Sequence, residues 1–392
     1  MTVPAIARQP GLARYESEYA GGATRGSTLR SRRPTFDGRI PRLVEWVELV
    51  LSLFVILGGA ELFTNGIEWV GKGFGLSQGA VGSVLAAVGT ALPETILPLI
   101  AILSGHAAGD EIGIGAILGA PFMLTTLSMV VIAVAVFAYA RSSGRSLELE
   151  GDRAVLRQDL GYFLVMYALA MGAGLLHVRI VNWVLAVVLI VGYAFYARRH
   201  FRAPVVPRME EEGASEVRPL YASAVLGRPR HELPGTAKDS TNWPTFLQVG
   251  VALILIVGGA RLFVDAVDAV ATRFGLSHLV FALLVAPVAT ELPEKFNSVI
   301  WIRRGQDTLA LGNMTGAMVF QSSFPVTVGL LLTPWHLAHE ALVAGVIALA
   351  AGTLLYLTVR VRGRFSAPLL LLQGAFYATY VVYVLTRPGT TA

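Results

Sequence analysis

The sequence predicts an all-α integral membrane protein: ten transmembrane helices arranged as two inverted five-helix repeats, with broken helices at the midplane. Three observations predict this class. The 392 residues are 54% hydrophobic and only 15% charged, with a mean hydropathy of +0.62, whereas soluble domains run near ~25% charged. Ten apolar segments follow one another, each near the length needed to span a bilayer. Residues 58–94 recur at 258–294, with sixteen identities in 37 positions at a fixed offset. The shared residues include Gly58/Gly258, Phe63/Phe263, the run Phe74-Gly75-Leu76-Ser77 against Phe274-Gly275-Leu276-Ser277, and the triplets Leu92-Pro93-Glu94 and Leu292-Pro293-Glu294. Apolar composition alone does not place Gly, Pro, Ser and Glu in register.

Taken in order, residues 1–42 are polar and irregular and carry eight arginines, Arg8, Arg14, Arg25, Arg30, Arg32, Arg33, Arg39 and Arg42. They lack the apolar core of a signal peptide and are expected to form a disordered basic tail. The first repeat, 43–197, holds spans at about 43–66, 78–103, 112–140, 160–176 and 180–197. Residues 198–243 carry Pro204, Pro207, Pro229, Pro234 and Glu210, Glu211 and Glu212, the composition of a linker with little structure of its own. The second repeat, 244–387, holds spans at about 244–267, 278–302, 309–332, 338–359 and 366–386, and a short tail, 388–392, follows. Five spans per repeat turn the second repeat upside down relative to the first, an arrangement shared by many secondary transporters.

Chemistry concentrates where each repeat places a proline and a carboxylate inside an apolar run. An ionisable residue at membrane depth is costly, which makes Glu94 and Glu294 functional candidates. Proline removes an amide hydrogen and clashes with the preceding turn, so breaks are expected near Pro93 and Pro293, freeing carbonyls beside each carboxylate. Carbonyls and carboxylates form a hard oxygen shell suited to Ca²⁺, with Na⁺ or a proton as competitors. The pairs Gly115/Gly119 and Gly312/Gly316 are close-packing faces, and Pro121 marks the expected break of the third span.

Asn313 and Gln321 are further candidates to line the site. Thr315, Ser322, Ser323, Thr125, Thr126 and Ser128 either line it or satisfy themselves on the preceding turn. His106, beside Asp110 and Glu111 in a short polar loop, is expected to be solvated, and no histidines share metal-ligand spacing.

There are no cysteines, which excludes disulfides, thiolate metal sites and cysteine nucleophiles. No Gly-rich phosphate loop is present, and no cofactor is implied. The net charge of +5 does not indicate nucleic acid, because the arginines sit in tails and loops flanking apolar spans, where charge sets topology. An outside N-terminus places the linker, the 141–159 loop, Arg303/Arg304 and Arg360/Arg362/Arg364 in the cytoplasm. Arg179, Arg273, Arg387 and the basic tail are then left outside. The expected partners are inorganic cations and the lipid bilayer of the cell membrane; nothing in the sequence specifies an oligomer.

The doubled motif, Gly89-Thr90-Ala91-Leu92-Pro93-Glu94 and Ala289-Thr290-Glu291-Leu292-Pro293-Glu294, resembles the alpha-repeats of the cation/calcium exchanger superfamily over nearly all of 43–386. The resemblance implies that Glu94 and Glu294 are the Ca²⁺ carboxylates, that Thr90 and Thr290 supply oxygens, and that the first and sixth helices slide over a fixed core. Family members carry Ser-Asn or Ser-Asp after the second glycine of the next helix. This chain has Ala120-Pro121 and Ala317-Met318, losing side-chain oxygens, and the serine before Leu-Pro-Glu is Ala91 or Glu291.

Glu291 and Lys295 stand four residues apart and can pair if helix runs through them. Lys295 is then a tethered cation in place of a counter-ion. Alternatively Glu291 carries a proton, or Lys295 snorkels outward and Glu291 meets water. These residues imply a secondary active antiporter moving Ca²⁺ or a similar cation against Na⁺ or H⁺. A monovalent exchanger on the same fold is the alternative, and an intramembrane metal-dependent enzyme a remote one.

Overall fold

The computed structural model describes residues 43–73, 92–202, 220–222 and 243–386. The basic tail, most of the linker and the first-repeat segment containing Gly89, Thr90 and Ala91 lie outside the described residues. In chain order the helices are α1 (Leu43–Gly73), α2 (Leu92–Leu103), α3 (Gly109–Thr125), α4 (Leu127–Ser143), α5 (Arg153–Leu176) and α6 (Arg179–Arg202). They continue with α7 (Trp243–Phe274), α8 (His278–Thr290), α9 (Leu292–Arg303), α10 (Asp307–Gln321), α11 (Phe324–Leu332), α12 (His339–Arg362) and α13 (Ala367–Thr386). Two short strands, β1 (Glu148–Leu149) and β2 (Phe365–Ser366), pair antiparallel.

Eight helical stretches among the described residues are long and apolar enough to cross a membrane. The seventh predicted span is the pair α8–α9, and α2 is the C-terminal part of the second. Valines and leucines such as Val187, Val191, Val346, Val361, Val382 and Leu385 are exposed on α6, α12 and α13, a surface suited to lipid, where no hydrophobic penalty attaches to it.

The two repeats pack by exchanging equivalent elements. Helix α1 lies along α7 and α5 along α12, while the last helix of each repeat covers the other's split third span, α6 on α11 and α13 on α4. The α1–α7 pair shows the internal two-fold at atomic scale. A Cβ on Gly59 would fall 2.8 Å from Ile256 Cγ1, and one on Gly259 would fall 2.9 Å from Ile56 Cγ1. Each glycine thus admits the isoleucine equivalent to the one its counterpart admits, the reciprocity that a two-fold axis imposes. The helices run antiparallel, with Glu45 near the start of α1 2.9 Å from Arg273 near the end of α7.

Loops predicted to share a membrane face meet one another. On one face β1 pairs with β2, and Arg145 reaches the Ile302 carbonyl at 2.7 Å and the Asp307 carboxylate at 2.7–2.8 Å. On the other, Arg179 donates to the Thr333 and Leu331 carbonyls, and His106 lies 2.9 Å from Asp265. His106 is exposed in its loop, as expected, and from there lies beside α7. In the linker, Leu220–Ala222 bonds to both long helices: Tyr221 N–H donates to Asn65 Oδ1 at 3.2 Å and Ala222 N–H to Gln248 Oε1 at 2.8 Å.

The split of the third span is displaced from its predicted position. Pro121 sits inside α3, and the interruption falls at Thr126. The Thr125 hydroxyl bonds to Pro121 O (2.9 Å) and that of Thr126 to Phe122 O (2.6 Å). Hydroxyls folded back on the preceding turn bend and loosen a helix. In the second repeat Ser322 and Ser323 do the same, on Val319 O at 3.0 and 2.8 Å, and α10 gives way to α11 there. Hydroxyl pairs, rather than the proline, mark the equivalent breaks. The Gly115/Gly119 face does pack closely, since a Cβ on either would strike the Leu279 or Leu283 carbonyl of α8. A Cβ on Gly316 would meet only Tyr196 Oη, at 3.9 Å, and one on Gly312 nothing within 4 Å, among the described residues.

Candidate functional site

Both Leu-Pro-Glu carboxylates lie near the start of a helix. Glu94 lies in the first turn of α2 and Glu294 in the first turn of α9, where unsatisfied amides and the helix dipole favour negative charge. In the second repeat the discontinuity is one residue long: α8 ends at Thr290, Glu291 occupies the N-cap position with no side-chain cap bond, and α9 starts at Leu292 with Pro293 in its first turn. The break thus falls two residues before the predicted proline. That is near the proline, as expected: Pro293 cannot donate to the carbonyl four residues back, which ends the preceding helix, and it fits the first turn of the next.

Glu94, Glu291, Glu294 and Lys295 are all buried. Glu94 lies in the electrostatic field of Glu294 foremost, then of Glu291 and Lys295. Both Glu94 carboxylate oxygens are buried and have no hydrogen-bond partner among the described residues. Leaving such a group unmatched in low dielectric is expensive.

Glu291 is satisfied differently. Its Oε2 is 3.1 Å from Lys295 Nζ and accepts from Ser128 Oγ at 3.4 Å. The ammonium also meets Met123 Sδ at 3.0 Å and the Pro287 carbonyl at 3.4 Å. Lys295 therefore does not snorkel out of the membrane.

The remaining predicted residues are distributed as follows. Asn313 donates to the Glu294 carbonyl at 3.2 Å and to Ser298 Oγ at 3.3 Å, clamping α10 to the turn that bears Glu294. Thr290 is buried, its hydroxyl on the Ala286 carbonyl at 3.3 Å. Gln321 is buried at the α10–α11 junction with Oε1 lacking a hydrogen-bond partner, and no bond joins it to either Leu-Pro-Glu carboxylate among the described residues. Thr90 lies outside the described residues. No three His, Cys, Asp or Glu side chains among the described residues converge into a metal-holding group. A cation at Glu94 and Glu294 would then be completed by carbonyl and hydroxyl oxygens.

One intramembrane carboxylate escaped the sequence reading. Helix α5 begins at Arg153, capped by Asp152 Oδ1 accepting from Ala154 N–H at 2.8 Å, seven residues before the predicted start of the fourth span. This places Asp159 in the helix and buries it. It accepts from the Thr315 hydroxyl at 2.6 Å and from Tyr196 at 3.0 Å. An isolated acid at the edge of an apolar run was the available signal.

The family model for "Sodium/calcium exchanger protein" matches residues 44–200 and 245–387. The chain belongs to the sodium/calcium exchanger protein family. A curated relative of this family, CaxA of Alkalimonas amylolytica, named as a candidate antiporter, is 26% identical over 321 residues, covering 82% of this chain and 91% of the relative. The crystal structure of the H⁺/Ca²⁺ exchanger CAX superposes with a TM-score of 0.66 at 16% identity, covering 91% of this chain and 84% of that one. The sodium–calcium exchanger NCX_Mj superposes with a TM-score of 0.51 at 20% identity, covering 87% and 98%. At these identities the two structures establish the exchanger fold, and the family is one of transporters.

Proposed function

We propose that this exchanger-family protein is a secondary active antiporter carrying Ca²⁺, or a similar divalent cation, against Na⁺ or H⁺ by alternating access. The observation that carries the reading is the Glu94 carboxylate, buried with both oxygens unengaged among the described residues and facing the field of Glu294. With Glu94, Glu291 and Glu294 ionised and Lys295 protonated, the cluster holds two negative charges, which one divalent ion neutralises. In this reading Glu94 and Glu294 bind the ion, Thr90 and Thr290 add oxygens, Asn313 holds the Glu294 turn in place, and Gln321 borders the path. The apolar Ala120 and Met318, buried beside these helices, favour a second reading, exchange of monovalent cations, since neither supplies an oxygen ligand.

The N-terminus is proposed to face outward and the linker the cytoplasm. Cysteines replacing Arg303 and Arg362, both exposed, should then label from the cytoplasmic side; labelling of both from outside alone reverses the orientation. Purified protein in liposomes, with Ca²⁺, Na⁺ and pH gradients imposed one at a time, tests the function. Ca²⁺ uptake driven by an opposing gradient supports the divalent reading, and flux of Na⁺ with none of Ca²⁺ supports the second.

A further inference from the structure

We infer that the Lys295 ammonium is a resident cation filling a counter-ion subsite, so that transport neither binds nor is driven by Na⁺. This rests on the antiport reading and adds the identity of one occupant.

The subsite is built from groups that ordinarily hold a small monovalent cation. Nζ sits against the Glu291 carboxylate at 3.1 Å and the Pro287 carbonyl at 3.4 Å, hard oxygen donors of the kind that replace water around Na⁺. The same carbonyl also accepts the Glu291 amide at 3.2 Å, within the capacity of its two lone pairs. The third neighbour, Met123 Sδ at 3.0 Å, is a poor ligand for a hard metal cation but a tolerable acceptor for an ammonium. The pocket therefore fits Nζ better than it fits Na⁺.

The occupant cannot leave. Glu291 and Lys295 are bound through the backbone as well, Lys295 N–H donating to Glu291 O at 3.1 Å. The side chain is anchored one residue from Glu294, on the half-helix that carries that carboxylate. A tethered group competes at a high local concentration set by its tether, so a diffusing Na⁺ must displace a charge that stays beside the site. Its field extends to Glu94 and opposes entry of a second cation there. Glu291 thereby has a permanent partner, whereas Glu94 has none among the described residues. The division separates a fixed cation pocket from the variable one.

The test uses the full-length protein as wild type, Lys295→Met and the double variant Glu291→Gln/Lys295→Met. Thermal unfolding in detergent is followed with NaCl against choline chloride at equal ionic strength, since a ligand that binds only the folded state raises the midpoint. ⁴⁵Ca²⁺ uptake into liposomes is followed with Na⁺ or choline inside. Wild type should show no Na⁺-specific midpoint shift and uptake rates equal within twofold. Lys295→Met should gain a Na⁺-specific shift, half-maximal at a Na⁺ concentration at least tenfold below any wild-type response. The double variant should lose that shift, because no carboxylate remains in the pocket.

Na⁺-specific stabilisation or Na⁺-driven uptake in wild type overturns the inference, and this arm decides the matter if Lys295→Met does not fold. A folded Lys295→Met that answers Na⁺ like wild type overturns it too. If wild type moves no Ca²⁺ under any gradient while Lys295→Met still acquires the Na⁺ shift, the antiport reading fails and the assignment of Lys295 stands.

Discussion

Lys295 Nζ rests 3.1 Å from Glu291 Oε2 in a turn that also carries Glu294, so one half-helix holds a satisfied charge pair beside an ion-binding candidate. The pair is i,i+4 with the acid on the N-terminal side, the favourable order, but its burial changes the stakes. Two isolated charges at this depth would be costly, and removing either partner strands the other.

Glu291→Gln should therefore weaken Ca²⁺ binding while leaving Glu94 and Glu294 intact. The freed ammonium turns toward the remaining carboxylates and competes with the divalent ion. The expected loss is about 1–3 kcal/mol, the usual scale for a lost charged partner, or roughly 5- to 150-fold in affinity. Isothermal titration with Ca²⁺ measures it. Unchanged affinity would place Lys295 outside the electrostatic reach of the binding carboxylates.

The reciprocal seating of Ile256 on Gly59 and Ile56 on Gly259 makes the α1–α7 crossing intolerant of bulk. Gly59→Val and Gly259→Val should each destabilise the protein by about 1–3 kcal/mol, the range for overpacking, and by similar amounts because the contacts are equivalent. Adding Ile256→Ala to Gly59→Val should recover part of the loss, because neighbours couple. Melting curves of the two single variants and the double variant read this directly. Destabilisation confined to one glycine would deny the two-fold.

Asp159 ties the first repeat to the second through Thr315. Asp159→Ala deprives the Thr315 and Tyr196 hydroxyls of their acceptor and should cost about 1–3 kcal/mol of stability. Asp159→Asn keeps an acceptor oxygen and should cost less. Equal effects from the two substitutions would argue against a hydrogen-bonding role.

The sequence made some of this legible and hid the rest for physical reasons. The doubled Leu-Pro-Glu stood out because a proline and a carboxylate are conspicuous in apolar runs, and the inverted repeat followed from an odd number of spans. Lys295 could be paired with Glu291 because four residues is a helical step. Met123 and Ser128, which complete that pocket, lie 172 and 163 residues from their partners, and no local pattern connects them. Asp159 is hard to recognise because the run from Arg153 to Asp159 is polar enough to resemble a loop; its partners Tyr196 and Thr315 are 37 and 156 residues distant. The helix breaks were assigned to prolines, the loudest local signal, but Thr125–Thr126 and Ser322–Ser323 mark the third-span pair by back-bonding to their own turns.

If Glu94 and Glu294 together hold the transported cation, neither charge can be spared. Gln is nearly isosteric with Glu and removes the charge, so Glu94→Gln and Glu294→Gln should leave the fold intact. ⁴⁵Ca²⁺ uptake into liposomes bearing wild type or either variant, with melting temperatures checked alongside, is the most direct measurement. Both variants should fall to the rate of protein-free liposomes while melting near the wild-type temperature; uptake by either variant at close to the wild-type rate would mean that its carboxylate does not bind the ion.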